Sequence, residues 1–190
     1  VFFHLLLGIL FAMLLNTERL NRFVKGFFRA ALLLPWTFTV TIVAILWRLM
    51  LNPNGVINYL LNTGTLDWFG SVGTAMNAAI FVNIWNGYPF YMVSVLAGLQ
   101  GIGRDLYEAA RIDGADGPAA FRYITLPQLK PVLSSLLMLD FIWTMQQFSL
   151  IYMTTGGGPL RATEVLGTFT YRLAFTRMKF SMASASALII

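Results

Sequence analysis

Apolar residues gather in five long runs, at 1–15, 30–51, 74–99, 132–153 and 173–190, separated by polar stretches. A membrane-crossing helix needs about 20 apolar residues. The pattern therefore predicts an all-α fold, a polytopic transmembrane helical bundle with about five visible spans, in a single membrane domain covering 1–190. The first run is somewhat short for a full crossing and reads as the second half of a helix. The chain begins and ends inside apolar runs and so reads as a fragment truncated at both ends. Pro35 is expected to bend the second span near one end, with Trp36 and Trp47 at the aromatic belts and Arg48 snorkelling to the far interface.

The polar stretches differ in charge. The first, 16–29, carries Arg19, Arg22, Lys25 and Arg29 against Glu18, whereas 52–73 has no Lys or Arg. The third, 100–131, carries Arg104, Arg111, Arg122 and Lys130, and 154–172 carries Arg161 and Arg172. Lys and Arg collect in short loops on the cytoplasmic side. Counts of four, none, four and two therefore place the first and third stretches in the cytoplasm and the other two outside.

Composition supports a bilayer as solvent: 57% of residues are hydrophobic and 11% charged, against roughly 25% charged in a soluble domain. The 13 Lys and Arg exceed the 8 Asp and Glu, but they are spread among loops rather than gathered in a stripe, which argues against nucleic acid. With no cysteine and one histidine, thiolate chemistry and the usual zinc sites are excluded. The Gly-rich stretch 155–159 lacks the Gly-Lys-Ser/Thr ending of a phosphate-binding loop, and Ser134 and Ser135 have no histidine in a plausible position. No catalytic residue, cofactor or metal is expected, and the chain is not read as an enzyme. His4 has no carboxylate near it in sequence and reads as a packed or interfacial side chain, with a place in a transport path as the alternative.

Residues 108–127 form a polar island between two apolar runs. Asp105 and Glu108 suit the first turn of a helix, and Gly114 suits its C-terminal cap. Asp116 or Gly117 can cap a second short helix opened by Pro118, which should stop before Pro127. A second unusual feature is the polar load of the third span, with Asn77, Asn83, Asn86, Gly87 and Pro89. Asn83, Asn86, Gly87 and Phe90 share one helical face by spacing. In the fourth span Asp140 needs a partner or water, and Trp143, Thr144 and Gln147 follow on its face with Gln146 beside them. An aromatic ring among amides suits a hydroxyl-rich ligand such as a sugar. Both sets read either as a lining for a polar passage or as hydrogen bonding between helices.

Glu108, Ala109, Ala110, Gly114, Ile124, Leu126 and Pro127 match, at every spacing, the cytoplasmic signature of the permease subunits of binding-protein-dependent ATP-binding-cassette importers, which the chain resembles. Tyr107, the run 111–115, the run 155–159, Thr163, Glu164, Ala174 and Phe175 resemble the carbohydrate importer group, particularly the maltose-type first permease and its glycerol-phosphate relatives. Phe180 and Ser181 replace that group's Gly-Tyr, a local departure. The resemblance implies a bacterial-type plasma (inner) membrane permease domain with a cytoplasmic coupling loop at 100–131. Its partners would be a second permease subunit, two cytoplasmic ATPase subunits and an extracytoplasmic solute-binding protein. Glu108 to Gly114 would dock on the ATPase, with Arg111 or Asp113 making charged contacts there. The competing reading is a self-sufficient channel or a proton-coupled secondary transporter in which Asp140 carries the proton.

Overall fold

The computed structural model describes residues 1–17 and 20–190; Glu18 and Arg19 of the first basic stretch lie outside the described residues. Among those described there is no strand. The helices in order are α1 (Phe2–Asn16), α2 (Arg22–Thr37), α3 (Val40–Met50), α4 (Val56–Leu61), α5 (Ala75–Gln100), α6 (Arg104–Ile112), α7 (Gly117–Ala120), α8 (Leu126–Met145), α9 (Ser149–Thr154), α10 (Leu166–Tyr171) and α11 (Phe180–Ala187). Two π-helical turns, Phe121–Thr125 and Arg172–Thr176, complete the set. The chain forms two compact units, one of Val1–Trp36 with Gly87–Phe141 and one of Thr37–Asn86 with Ile142–Ile190.

In the first unit, Ala12 and Leu15 of α1 are buried against Tyr91, Met92, Val95, Leu96 and Leu99 of α5 and Leu129, Leu133 and Leu136 of α8. The three- and four-residue spacing within α5 and α8 gives each helix one stripe facing this core. Two glycines let α1 and α5 come close. A Cβ on Gly8 would collide with Tyr91, and a Cβ on Gly87 would stand 2.6 Å from Cε1 and Nε2 of His4. The Tyr88 hydroxyl donates to the Leu32 carbonyl at 3.1 Å, tying α2 to α5.

The second unit has its own core of Val43, Ala44, Trp47, Leu51, Ala78, Val82 and Leu150. The Trp47 ring meets Phe81 at 5.0 Å and Trp85 at 5.4 Å, both edge to face. Trp47 is thus a core residue and not the aromatic-belt side chain its position near a span end suggested. Arg48, next to it, donates to the Met153 carbonyl at 3.4 Å. The 52–73 stretch is ordered by Asn58: its amide nitrogen donates to the carbonyls of Asn52, Pro53 and Leu66, and its oxygen accepts from Thr63 and Trp68. One buried amide so satisfies a turn that has no sheet or long helix to use.

Several predicted boundaries move. The 16–29 stretch is helical from Arg22 onward, so Arg22, Lys25 and Arg29 sit on α2 and not in a loop. The 30–51 run is divided between two helices: α2 stops at Thr37, two residues past Pro35, and the Thr39 hydroxyl accepts the Ile42 N–H at 3.5 Å to start α3. The 132–153 run begins earlier, at Leu126, and breaks after Met145 before α9. The 154–172 stretch holds α10, and the last run breaks at Met178, whose φ of 52° is left-handed. No single helix among the described residues is long and apolar enough to cross a membrane, although α2 and α3 together have the length and composition. Helix α5 has 26 residues, about 39 Å at the usual rise, and its amides and Pro89 dilute its apolarity.

The close crossing of α1 and α5 yields an expectation. Gly8→Ala should lower the unfolding free energy of the purified protein by about 1–3 kcal/mol through overpacking. Gly26→Ala, where a Cβ meets nothing within 4 Å, should raise it by about 0.5–1 kcal/mol, since mid-helix glycine is costly. Equal effects at the two sites would contradict the crossing.

Candidate functional site

The polar island is an ordered elbow in the first unit. Asp105 lies in the first turn of α6, as expected, but Glu108 lies one turn further on, because the helix starts at Arg104. Gly114 has φ 78°, the Gly114 N–H bonds to the Arg111 carbonyl at 3.1 Å, and the Ala115 N–H bonds to the Ala110 carbonyl at 2.8 Å. These paired bonds around a left-handed glycine close α6 as a Schellman cap. Asp116 then caps α7 by accepting the Ala119 N–H at 2.9 Å, with Pro118 in the first turn.

The second short helix does not stop before Pro127. From Gly117 the chain runs through the π-helical turn at Phe121–Thr125 directly into α8. In that turn the Leu126 N–H bonds to the Phe121 carbonyl, five residues back. The wider turn relieves the clash between a proline ring and the carbonyl four residues earlier that normally ends a helix. The elbow is thereby continuous with the helix that carries Asp140. The Tyr107 hydroxyl and Thr125 Oγ1 are 2.8 Å apart, which ties α6 back to the π turn. Thr125 is a site residue that spacing alone did not single out; its only signal was a hydroxyl in an otherwise apolar triplet.

Glu108, Ala109, Arg111, Asp113 and Gly114 are exposed, Ala110 and Ile124 are half-buried, and Leu126 and Pro127 are exposed at the start of α8. Ile112 is 87% exposed on the same helix. The elbow thus presents an exposed helix that bears both apolar and charged side chains and is closed by a cap at its C-terminal end.

Asp140 has found its partners inside the first unit. Its Oδ2 lies 2.8 Å from His4 Nδ1 and accepts the Tyr91 hydroxyl at 3.1 Å, while that hydroxyl also lies 3.1 Å from the Leu136 carbonyl. His4 and Asp140 are both buried. An ionised carboxylate only accepts, so Nδ1 bears the hydrogen in that state. His4 is packed, as expected, but the reason given for it was wrong: a carboxylate 136 residues away completes the pair.

The other path candidates lie in the second unit. Asn83 and Asn86 are half-buried on α5, and Asn86 Oδ1 is buried without a hydrogen bond. Trp143 and Thr144 are exposed near the end of α8. Gln147 lies in the break after Met145 and so leaves the helical face that its spacing from Asp140 implied, and Gln146 forms the turn there. Asp140 and this group belong to different units.

The described residues form an all-α, strongly apolar fold with an ordered, exposed elbow of signature spacing, the features of a membrane transport component. Residues 4–190 match the family of the binding-protein-dependent transport system inner membrane component, and the chain belongs to that family. It is 41% identical, over 87% of its length and 57% of the relative's, to the trehalose/maltose transport system permease protein MalF of Thermococcus litoralis. Two crystal structures of a bacterial transporter for the acidic polysaccharide alginate also match. The first covers 97% of this chain and 66% of its counterpart, with TM-score 0.83 and 25% identity. The second, in complex with an alginate pentasaccharide-bound periplasmic protein, covers 96% and 65%, with TM-score 0.86 and 26% identity. The chain thus spans between 57% and 66% of these relatives.

The buried pair can be checked by a double-mutant cycle. His4→Leu and Asp140→Leu should each destabilise the protein, and their combination should show a coupling of about 1–3 kcal/mol because a partnerless buried charge is the main cost. Additive losses would show that the two side chains do not act together.

Proposed function

We propose that this chain is part of a permease subunit of an ATP-driven importer that moves a sugar or related polyol delivered by a solute-binding protein. The elbow carries the reading: its charged and apolar face is exposed, both of its helices are capped, and a continuous helix leads from it into the apolar body. ATP hydrolysis falls to two cytoplasmic ATPase subunits, one of which takes Glu108–Gly114 into a groove, with a second permease subunit completing the passage. A rigid elbow passes on a displacement only if the ATPases contact it differently in their two states. The capped helices and the link from Tyr107 to Thr125 give it that rigidity.

Trp143, Thr144 and Gln147, with Asn83 and Asn86, are the side chains proposed to meet the substrate. The unpartnered Asn86 oxygen and the exposed Trp143 ring support this reading, since a ring stacks on the apolar face of a sugar and amides bind its hydroxyls. Asp140 is proposed as a structural residue, its carboxylate already taken by His4 and Tyr91. The maltose and alginate permeases among the relatives favour a carbohydrate.

Gly114→Asp or Glu108→Lys should leave membrane insertion intact while lowering substrate-stimulated ATP hydrolysis of the reconstituted complex about tenfold or more, the scale expected for losing a coupling of 1–3 kcal/mol. Co-purification with a fully stimulated ATPase would contradict the docking role. Trp143→Ala should raise the KM for uptake about tenfold, the equivalent of one lost stacking contact; an unchanged KM removes it from the path. Uptake that persists without the ATPases and follows a proton gradient would overturn the importer reading itself.

A further inference from the structure

Beside the elbow, within the first unit, two confluent grooves of about 590 and 340 Å³ open between the end of α1, the start of α2, the end of α5 and α6. They share Asn16, Lys25 and Gln100. Arg22 and Arg29 line one and Arg104 and Arg111 the other, and among the described residues Glu108 is the one carboxylate in the lining. None of Arg22, Lys25, Arg29 or Arg111 is ion-paired to a described carboxylate.

The cations of α2 fall at 22, 25 and 29, which is helical spacing for a single stripe. Phe23 and Phe27, between them in sequence, are 86% and 71% exposed. Helix α2 therefore begins with a basic stripe lining the groove and aromatic side chains turned out of it, the arrangement of a helix lying at a membrane interface. A cationic groove on one side of the helix and exposed phenylalanines on the other fit a ligand with a negative head and an apolar tail that lies along the helix. An acidic protein surface would use the cations and leave the phenylalanines without a role.

From this juxtaposition we infer that the groove at Arg22, Lys25 and Arg29 binds the phosphate headgroup of an anionic phospholipid of the cytoplasmic leaflet, with Phe23 and Phe27 against its acyl chains. The inference rests on the cytoplasmic placement of this face. That placement is checked separately: Asn21→Cys, at an exposed position, in a permease freed of any other cysteine, should react with an impermeant maleimide from the cytoplasmic side only.

The test is native mass spectrometry of the full-length permease complex, extracted from membranes of mixed phosphatidylglycerol and phosphatidylcholine. The unaltered complex should retain phosphatidylglycerol about fivefold or more over phosphatidylcholine, and Arg22→Gln, Lys25→Gln and Arg29→Gln together should bring the ratio to parity, as expected when surface cations attract anionic lipid. Lys25→Arg, which keeps the charge, should keep the preference. An equal ratio in the unaltered complex and the triple variant overturns the proposal. So does loss of the ATPase subunits from the triple variant with its lipid ratio unchanged, which would assign the groove to an acidic protein surface. Retention of inorganic phosphate but not phosphatidylglycerol would keep an anion site and overturn the lipid.

Discussion

The first unit depends on how closely α1 lies against α5. Gly8 and Gly87 remove the side chains that would hold the helices apart, and only then does the His4 ring reach Asp140 beside Tyr91. A carboxylate in an apolar interior costs several kcal/mol unless its lone pairs are satisfied. Here two donors from two different helices meet that requirement, and doing so fixes the placement of α1, α5 and α8 together. The apolar core of leucines around them supplies area, but a leucine stripe alone specifies rotation poorly. The buried polar contact adds a directional constraint that the stripe lacks.

That constraint also bears on the elbow. Helix α8 ends in the Asp140 region at one side and grows out of the π turn at the other, so the elbow and the buried pair sit on one helical rod. Tyr107 and Thr125 fasten the elbow to the foot of that rod, and the Schellman cap at Gly114 keeps α6 from fraying toward it. The exposed elbow and the apolar core of the first unit are thereby joined without a flexible linker.

Much of this was legible in the sequence where the signal is local. The glycine cap at 114, the Asp116 cap and Pro118 each follow from the chemistry of one turn, and the structure has all three. The long helix at 75–100 followed from an apolar run that its amides and Pro89 dilute but do not end. Pro35 marked a bend close to the break at 38–39, but the break at 146–148 was not legible, since Gln146 and Gln147 are residues a helix accepts and no glycine or proline marks the stop. Continuation through Pro127 was missed because the rule for the residue before proline assumes an α turn, whereas a π turn supplies a different acceptor. The partnership of His4 with Asp140 spans 136 residues, and no periodicity carries information across such a distance. For the groove, Arg22, Lys25 and Arg29 were visible as charge, but their common stripe appeared only once α2 proved helical from Arg22.

The π turn at Phe121–Thr125 has a consequence for how the chain tolerates change in length. A π turn holds about one residue more than an α turn, and one residue of α-helix is about 100° of rotation. Deleting a single residue there would restore regular winding and swing everything beyond it through that angle, turning Asp140 away from His4 while leaving every side chain of α8 chemically intact. The widened turn thus acts as a phase setting between the elbow and the buried pair, and an insertion or deletion in 121–125 would be felt two turns and more into the apolar body.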